Sequence, residues 1–126
     1  MFNITEVSNK VGLSKHTLRY YEKIELLIIP KDAKGHRTYK DTDLSALIFI
    51  KCLTKTGMPL DQIKELSKLA LKNPEKNTER ILSILELHRT KILSDLSESK
   101  QSLKMIEILL ENYFIVIKEK ITLPQI

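Results

Sequence analysis

A long carboxyl-terminal stretch without glycine or proline constrains the fold most. Residues from Thr78 to Lys118 contain neither, which favours one uninterrupted helix. Apolar or small residues recur along it at steps of three and four, with one stutter near Ile92–Leu96: Ile81, Leu85, His88, Ile92, Leu96, Ser99, Leu103, Ile106, Leu110, Tyr113 and Ile117. Such a helix would be roughly 60 Å long, too long to bury this seam against the residues before it. We therefore predict a homodimer joined by a coiled coil through Ile81–Ile117.

The composition is that of a small globular protein with a helical extension. The chain has 126 residues, 42% of them hydrophobic, which is enough for one modest core. Its N-terminus lacks a secretion signal, and no run approaches the roughly 18 apolar residues of a membrane span. The single cysteine, Cys52, excludes an internal disulfide and fits a reducing compartment. We therefore expect a cytoplasmic protein without membrane contact.

The positive charge is unevenly distributed. The net charge is +5; residues 1–72 carry thirteen Lys and Arg against eight Asp and Glu, and residues 73–126 carry eight of each. A basic head on a neutral tail is typical of a phosphate-binding module. A solvated, lysine-rich face would have the same composition.

The stretch Ser14–Glu22 predicts a short helix with one basic face. Ser14 is a good N-cap, and Leu18 and Tyr21 share a face that can pack inward. Long donors capable of reaching phosphates or base edges occupy the remaining positions: Lys15, His16, Arg19 and Tyr20.

A first helix is predicted just upstream, from Ile4 to Lys10. We expect Thr5 to cap it and Gly12 to end it. Two short helices around a glycine turn, the second with a cationic outer face, form the pattern of a helix-turn-helix reader of DNA. The same helix pair also occurs in domains that bind nothing.

A small hairpin, or wing, is predicted next. Leu26–Ile29 is short, β-prone and closed by Pro30, which indicates a strand. Turn residues follow in Lys31–Gly35, and His36–Tyr39 resumes an extended pattern with a basic tip.

Two further helices complete the head. Acids at Asp41–Asp43 suit a helix N-terminus, and the helix Leu44–Lys55 is apolar on most sides, as expected in a core. Gly57 ends it, Pro59 begins the next helix, and Asn73-Pro74 closes both that helix and the head domain.

Several motifs occur in a fixed order: Thr17-Leu18-Arg19-Tyr20-Tyr21-Glu22, Leu26-Leu27, Gly35-His36-Arg37-x-Tyr39, Asp43-Leu44 and Gly57-Met58-x-Leu60-x-x-Ile63. With them the chain resembles the MerR family of bacterial transcription regulators. The resemblance implies a mostly α fold. A winged helix-turn-helix DNA-binding domain would span residues 1–73, and a long antiparallel coiled-coil dimerisation helix with a short tail would span residues 74–126.

The resemblance also implies a location in the bacterial cytoplasm and nucleoid, the ligand, and the residues that bind it. The ligand would be double-stranded promoter DNA, and the dimer would bind a palindrome in the promoter spacer. By bending and untwisting that spacer, the dimer would allow RNA polymerase to contact both promoter elements. The residues implied to contact DNA are Lys15, His16, Thr17, Arg19 and Tyr20 in the second helix, Arg37 and Tyr39 in the wing, and Lys55 at the end of the third helix. Core packing is the alternative for Tyr20 and Tyr39, and Tyr21 is assigned to packing.

The chain departs from the family pattern at two positions. Glu25 replaces the usual glycine after the second helix, the recognition helix that would read DNA. The cost is on the order of 1 kcal/mol if the backbone there is left-handed. Pro59 replaces the usual small N-cap of the fourth helix. Neither position belongs to the residues implied to face DNA.

Cys52 is the residue that bears most directly on which signal such a regulator would respond to. A lone thiol cannot complete a zinc or copper site, whereas its surroundings resemble the branch of the family that responds to aldehydes and other electrophiles. Lys51 and Lys55 could favour the reactive thiolate. The alternative is a structural Cys52, a small hydrophobe on the Leu44–Ile48 stripe, with a different small-molecule signal or repression without ligand.

Two other functional classes fit less well. An enzyme is not predicted, because the sequence shows no phosphate loop, paired catalytic carboxylates or metal cluster, and we expect no cofactor. An adaptor without a DNA role would leave the basic head unexplained.

Overall fold

A computed structural model describes residues 1–113, and these form five α-helices. The helices are α1 Ile4–Val11, α2 Lys15–Lys23, α3 Asp41–Lys55, α4 Leu60–Lys72 and α5 Thr78–Glu111. The mostly α prediction is confirmed. The chain divides into two units, Met1–Ile84 and Leu85–Ile126. The boundary falls within α5, so this helix begins in the first unit.

The first unit is built around one apolar core. Its fully buried apolar side chains come from α1, the wing, α3 and α4: Val7, Tyr39, Leu47, Ile50, Ile63 and Leu66. Burying an aliphatic side chain of this size stabilises the fold by about 1.5–3 kcal/mol relative to leaving it exposed. This core therefore fixes the orientation of the two amino-terminal helices.

The start of α5 belongs to this same unit. Ile84 is buried in the core and Ile81 packs against it. Arg80 Nη2 lies 2.8 Å from Glu65 Oε1 of α4, and Asn77 Nδ2 donates to the Leu69 carbonyl. The first turns of α5 therefore complete the core of this compact unit, which ends at Ile84. The division at residue 73 between a DNA-binding domain and a dimerisation helix stays a prediction.

Side-chain caps set the helix starts. Asn3 caps α1: its Oδ1 accepts from the Glu6 amide at 2.9 Å, and its own amide donates to Glu6 Oε1 at 3.1 Å. The Thr5 cap prediction is therefore wrong, because this reciprocal pair starts the helix at Ile4. Similarly, the Lys40 amide donates to Asp43 Oδ2 at 2.9 Å, which starts α3 at Asp41, earlier than predicted.

The segment predicted as a strand is irregular. Leu26 and Ile29 are both buried; their three-residue spacing does not match the two-residue period of a strand. Pairing in the wing is limited to isolated antiparallel bridges, Lys31 with Arg37 and Phe2 with Tyr39. The wing turns back as predicted, but the strand prediction for Leu26–Ile29 is wrong.

Helix α5 has 34 residues and is therefore roughly 50 Å long. It leaves most of the predicted seam exposed in a single chain, including Leu85, Ile92, Leu96, Leu103, Ile106 and Leu110. Tyr113, just beyond the helix, is exposed as well. Ile117, the last predicted seam position, lies outside the described residues. None of the helices within residues 1–113 is both long and apolar enough to cross a membrane.

Candidate nucleic-acid interface

Helix α2 has an inner face and an outer face. Ser14 caps it, with its Oγ accepting from the Thr17 amide at 3.0 Å and donating to Thr17 Oγ1 at 2.9 Å. Leu18 and Tyr21 are buried, 2% and 7% exposed, and hold the helix on the core. The packing role predicted for Tyr21 is confirmed.

The outer face of α2 is polar and cationic. Four of the predicted DNA-contacting side chains are exposed on it: Lys15, His16, Arg19 and Tyr20. Thr17 is half-buried, with its hydroxyl bonded to Ser14. No acidic residue lies in the first turn of α2, so the positive end of its dipole is available to an anion. This face can donate to phosphate oxygens and to base edges.

The turn between α1 and α2 is fixed by a contact that the sequence did not suggest. Gly12 has φ 69° and its amide donates to the Ser8 carbonyl at 3.0 Å, as predicted for a helix-ending glycine. Lys51 of α3 donates from Nζ to the Val11 carbonyl at 2.7 Å. A Cβ at Gly12 would lie 2.8 Å from that Nζ, so the glycine also gives the lysine its space.

The tip of the wing is organised by Asp32. Its Oδ1 accepts from the backbone amides of Lys34 and His36, each at 2.9 Å, and Gly35 takes φ 80° to close the turn. The His36 amide is the main reason why the pKa of the Asp32 carboxyl lies below its usual value. The turn leaves Lys34 and His36 exposed, so the tip is basic as predicted.

The two predicted wing contacts lie in different environments. Arg37 is partly buried and donates from Nε to Glu22 Oε2 of α2. Tyr39 is only 1% exposed, and its buried hydroxyl has no hydrogen-bond partner among the described residues. The predicted phosphate contact of Tyr39 is therefore inconsistent with its position, because a phosphate cannot reach that hydroxyl without movement of the wing.

Burial also changes the acidity of Tyr39. Desolvation is the main cause that raises the pKa of its phenol, and the nearby Glu22 carboxylate raises it further, while Arg37 opposes the change. The phenol is therefore a neutral member of the core beside the Glu22–Arg37 pair.

The carboxyl end of α3 carries the remaining candidates. Lys55 and Cys52 are both exposed, so the single chain does not bury the thiol on the apolar stripe. Lys51 is bound to Val11 instead, which weakens the prediction that it assists a thiolate. Among residues 1–113, no three His, Cys, Asp or Glu side chains are grouped to hold a metal ion.

Comparison with known proteins identifies the family. Residues 2–70 match the family described as MerR HTH family regulatory protein. The chain is 31% identical over 133 residues to the uncharacterized HTH-type transcriptional regulator YyaN of Bacillus subtilis (strain 168), with 96% of each chain covered.

Two solved structures of transcription regulators are also similar to this chain. HiNmlR, a MerR family regulator lacking the sensor domain, bound to promoter DNA, matches with a TM-score of 0.71 and 30% identity over 99% of this chain and 98% of that one. PbrR691 from Ralstonia metallidurans CH34, in complex with lead(II), matches with a TM-score of 0.73 and 26% identity over 89% and 88%. The relatives are transcription regulators and not enzymes, and the chain belongs to the MerR family of helix-turn-helix regulators.

Proposed function

We propose that this regulator binds a palindromic promoter spacer as a homodimer through the outer face of α2. The exposed Lys15, His16, Arg19 and Tyr20 carry the proposal, because buried Leu18 and Tyr21 set that face on a rigid core. The crystal of HiNmlR on promoter DNA supports the same ligand for this chain.

Contacts to the DNA backbone would flank the recognition helix. Lys55 at the end of α3 and the partly exposed Arg37 in the wing are donors suited to phosphate oxygens. Thr17 is half-buried and would contribute a hydroxyl at the edge of the face. Such contacts position the protein, whereas Arg19 and His16 would carry the sequence information.

A second copy of the chain would cover the exposed seam of α5. Leu85, Ile92, Leu96 and Leu103 are exposed in one chain, and burying such side chains is the main driving force for association. Two recognition helices joined in this way address the two halves of a palindrome. Bending and untwisting the spacer between them would bring the two promoter elements into register for RNA polymerase, in the bacterial cytoplasm.

The DNA proposal is tested by binding. A duplex is selected from a randomised library with the full chain, and its affinity is measured by fluorescence anisotropy at several salt concentrations. Arg19→Ala should weaken binding by about 5- to 150-fold, because a good base contact is worth about 1–3 kcal/mol. Lys68→Ala, which removes one exposed charge from α4, is the matched control and should bind like wild type. Equal affinity of Arg19→Ala and wild type would exclude α2 as the reading helix.

We propose further that the signal is a reactive aldehyde taken up by Cys52. The thiol is exposed on α3, and its sulfur can add to an aldehyde carbonyl while the proton passes to the carbonyl oxygen, so that no co-reactant is needed. The bulk of the adduct would then shift α3, which is fastened to the helix-turn-helix by Lys51.

Transcription in vitro separates a sensor from a structural thiol. Cys52→Ser should bind the selected duplex like wild type but lose the response to formaldehyde. If both proteins respond to formaldehyde, Cys52 is not the sensor. If neither responds, the signal is a different small molecule, or the protein represses without ligand.

A further inference from the structure

An ion pair joins the wing to the recognition helix. Arg37, in the returning arm of the wing, donates from Nε to Glu22 Oε2 near the end of α2. The two side chains are only 24% and 20% exposed, so water screens the pair much less than a surface pair. The contact therefore has a defined geometry.

The backbone around Arg37 is held as well. Arg37 forms an antiparallel bridge with Lys31. Two residues on, Tyr39 accepts from the Phe2 amide and donates to the Phe2 carbonyl, each at 2.8 Å. Main chain and side chain are thus fixed on both sides, which leaves the guanidinium little freedom to reorient.

A guanidinium held at Nε still has donors to offer. Its five N–H groups form a rigid planar fork, and the carboxylate of Glu22 engages the Nε side. The Nη groups on the opposite side remain, and they suit the oxygens of a phosphate. A carboxylate that accepts from one edge of an arginine thereby orients it, in the way that a carboxylate hydrogen-bonded to a metal-bound histidine orients the imidazole.

We propose that Glu22 is a positioning residue for DNA binding, which holds Arg37 so that its free edge meets a backbone phosphate. This inference rests on the proposed DNA-binding function and assigns a role to an acidic residue within an otherwise basic surface. Charge alone gives the opposite expectation, because removing a negative charge close to DNA should strengthen binding.

The test is Glu22→Ala with Glu25→Ala as its control. Both remove one carboxylate at the end of α2, and Glu25 is exposed. Affinity for the selected duplex should fall about tenfold for Glu22→Ala and its salt slope should become shallower by about 0.9, the value of one phosphate contact. Glu25→Ala should bind as tightly as wild type or slightly more tightly.

Two more variants distinguish aiming from folding. In Glu22→Gln the amide oxygen can still accept from Arg37 Nε, so this variant should recover part of the affinity. Adding Glu22→Ala to Arg37→Ala should cause no further loss, because the carboxylate acts only through the arginine.

Three results would overturn the inference. The first is a Glu22→Ala protein that binds as tightly as wild type. The second is weaker binding with an unchanged salt slope and a lower unfolding midpoint, which would make the pair merely structural. The third is a wild-type chain that selects no duplex, which alone would also remove the proposed DNA-binding function.

Discussion

Lys51 of α3 donates from Nζ to the Val11 carbonyl at 2.7 Å, across forty positions of sequence. Val11 is the last residue of α1, and its carbonyl is one of those that a helix terminus leaves without an intrahelical partner. A lysine in this place satisfies that carbonyl and complements the negative end of the helix dipole. The helix that carries Cys52 is thereby tied to the turn of the helix-turn-helix.

Replacement of this lysine should destabilise the head. Lys51→Met keeps the length of the aliphatic side chain but leaves a partly buried carbonyl without its donor, so the free energy of unfolding should fall by about 1–2 kcal/mol. Lys55→Met, on an exposed position of the same helix, is the control and should change little. Denaturant unfolding measures both, and equal midpoints for the two variants would contradict a role for the Lys51–Val11 contact.

Glu25 should be a site of stabilisation. It is the one non-glycine residue with positive φ among the described residues, at 63°. Glu25→Gly should therefore raise the free energy of unfolding by about 1 kcal/mol, because glycine adopts this conformation without steric cost. Glu25→Ala removes the carboxylate but keeps the Cβ, so it should not reproduce the gain. A loss of stability in Glu25→Gly would show that the strain is offset locally.

Removal of the Tyr39 hydroxyl should not destabilise the protein or weaken DNA binding. That group is buried without a partner in the described part of the chain, and burying an unpaired hydroxyl is costly. Tyr39→Phe should raise the free energy of unfolding by about 1 kcal/mol and leave affinity for the selected duplex unchanged. Weaker DNA binding by this variant would restore the phosphate contact that the sequence implied.

The carboxyl group of Asp32 should titrate below its usual pKa of 3.8, because the His36 amide hydrogen-bonds the charged form. A lowered folded-state pKa means that this group stabilises the wing above pH 3.8 and loses that effect as the pH falls further. Carboxyl carbon NMR gives the value directly. Asp32→Asn can still accept both amides through Oδ1, so the turn should persist in it. A measured pKa at or above 3.8 would show that the Lys34 and His36 amides do not hydrogen-bond the Asp32 carboxylate.

Local sequence signals predicted the helices well. Ser14, Gly12 and the buried pair Leu18 and Tyr21 act within a few residues of one another, so their spacing alone places α2 and its basic face. Thr5 failed as a cap because Asn3 and Glu6 satisfy each other first. Competition between neighbouring caps depends on geometry that a pattern does not contain.

Contacts between residues far apart in the sequence could not be predicted from local patterns. Nothing near Lys51 indicates that it reaches Val11, and nothing near Glu22 indicates Arg37 as its partner, because both contacts depend on how the core packs the helices. The same limit explains Tyr39, whose place in an extended basic segment suggests the surface while the bridge to Phe2 turns it inward.

The most direct measurement is the number of chains on the selected palindrome, determined by sedimentation velocity together with affinity. We expect two chains per duplex, and a large loss of affinity when one half-site is scrambled. Leu96→Glu, in the exposed seam of α5, should abolish the dimer and tight binding, whereas Ser97→Glu, one position away and outside the predicted seam, should preserve both. A single chain that binds palindrome and half-site equally well, or a Leu96→Glu protein that still binds as a dimer, would contradict a regulator that reads DNA through a coiled-coil dimer.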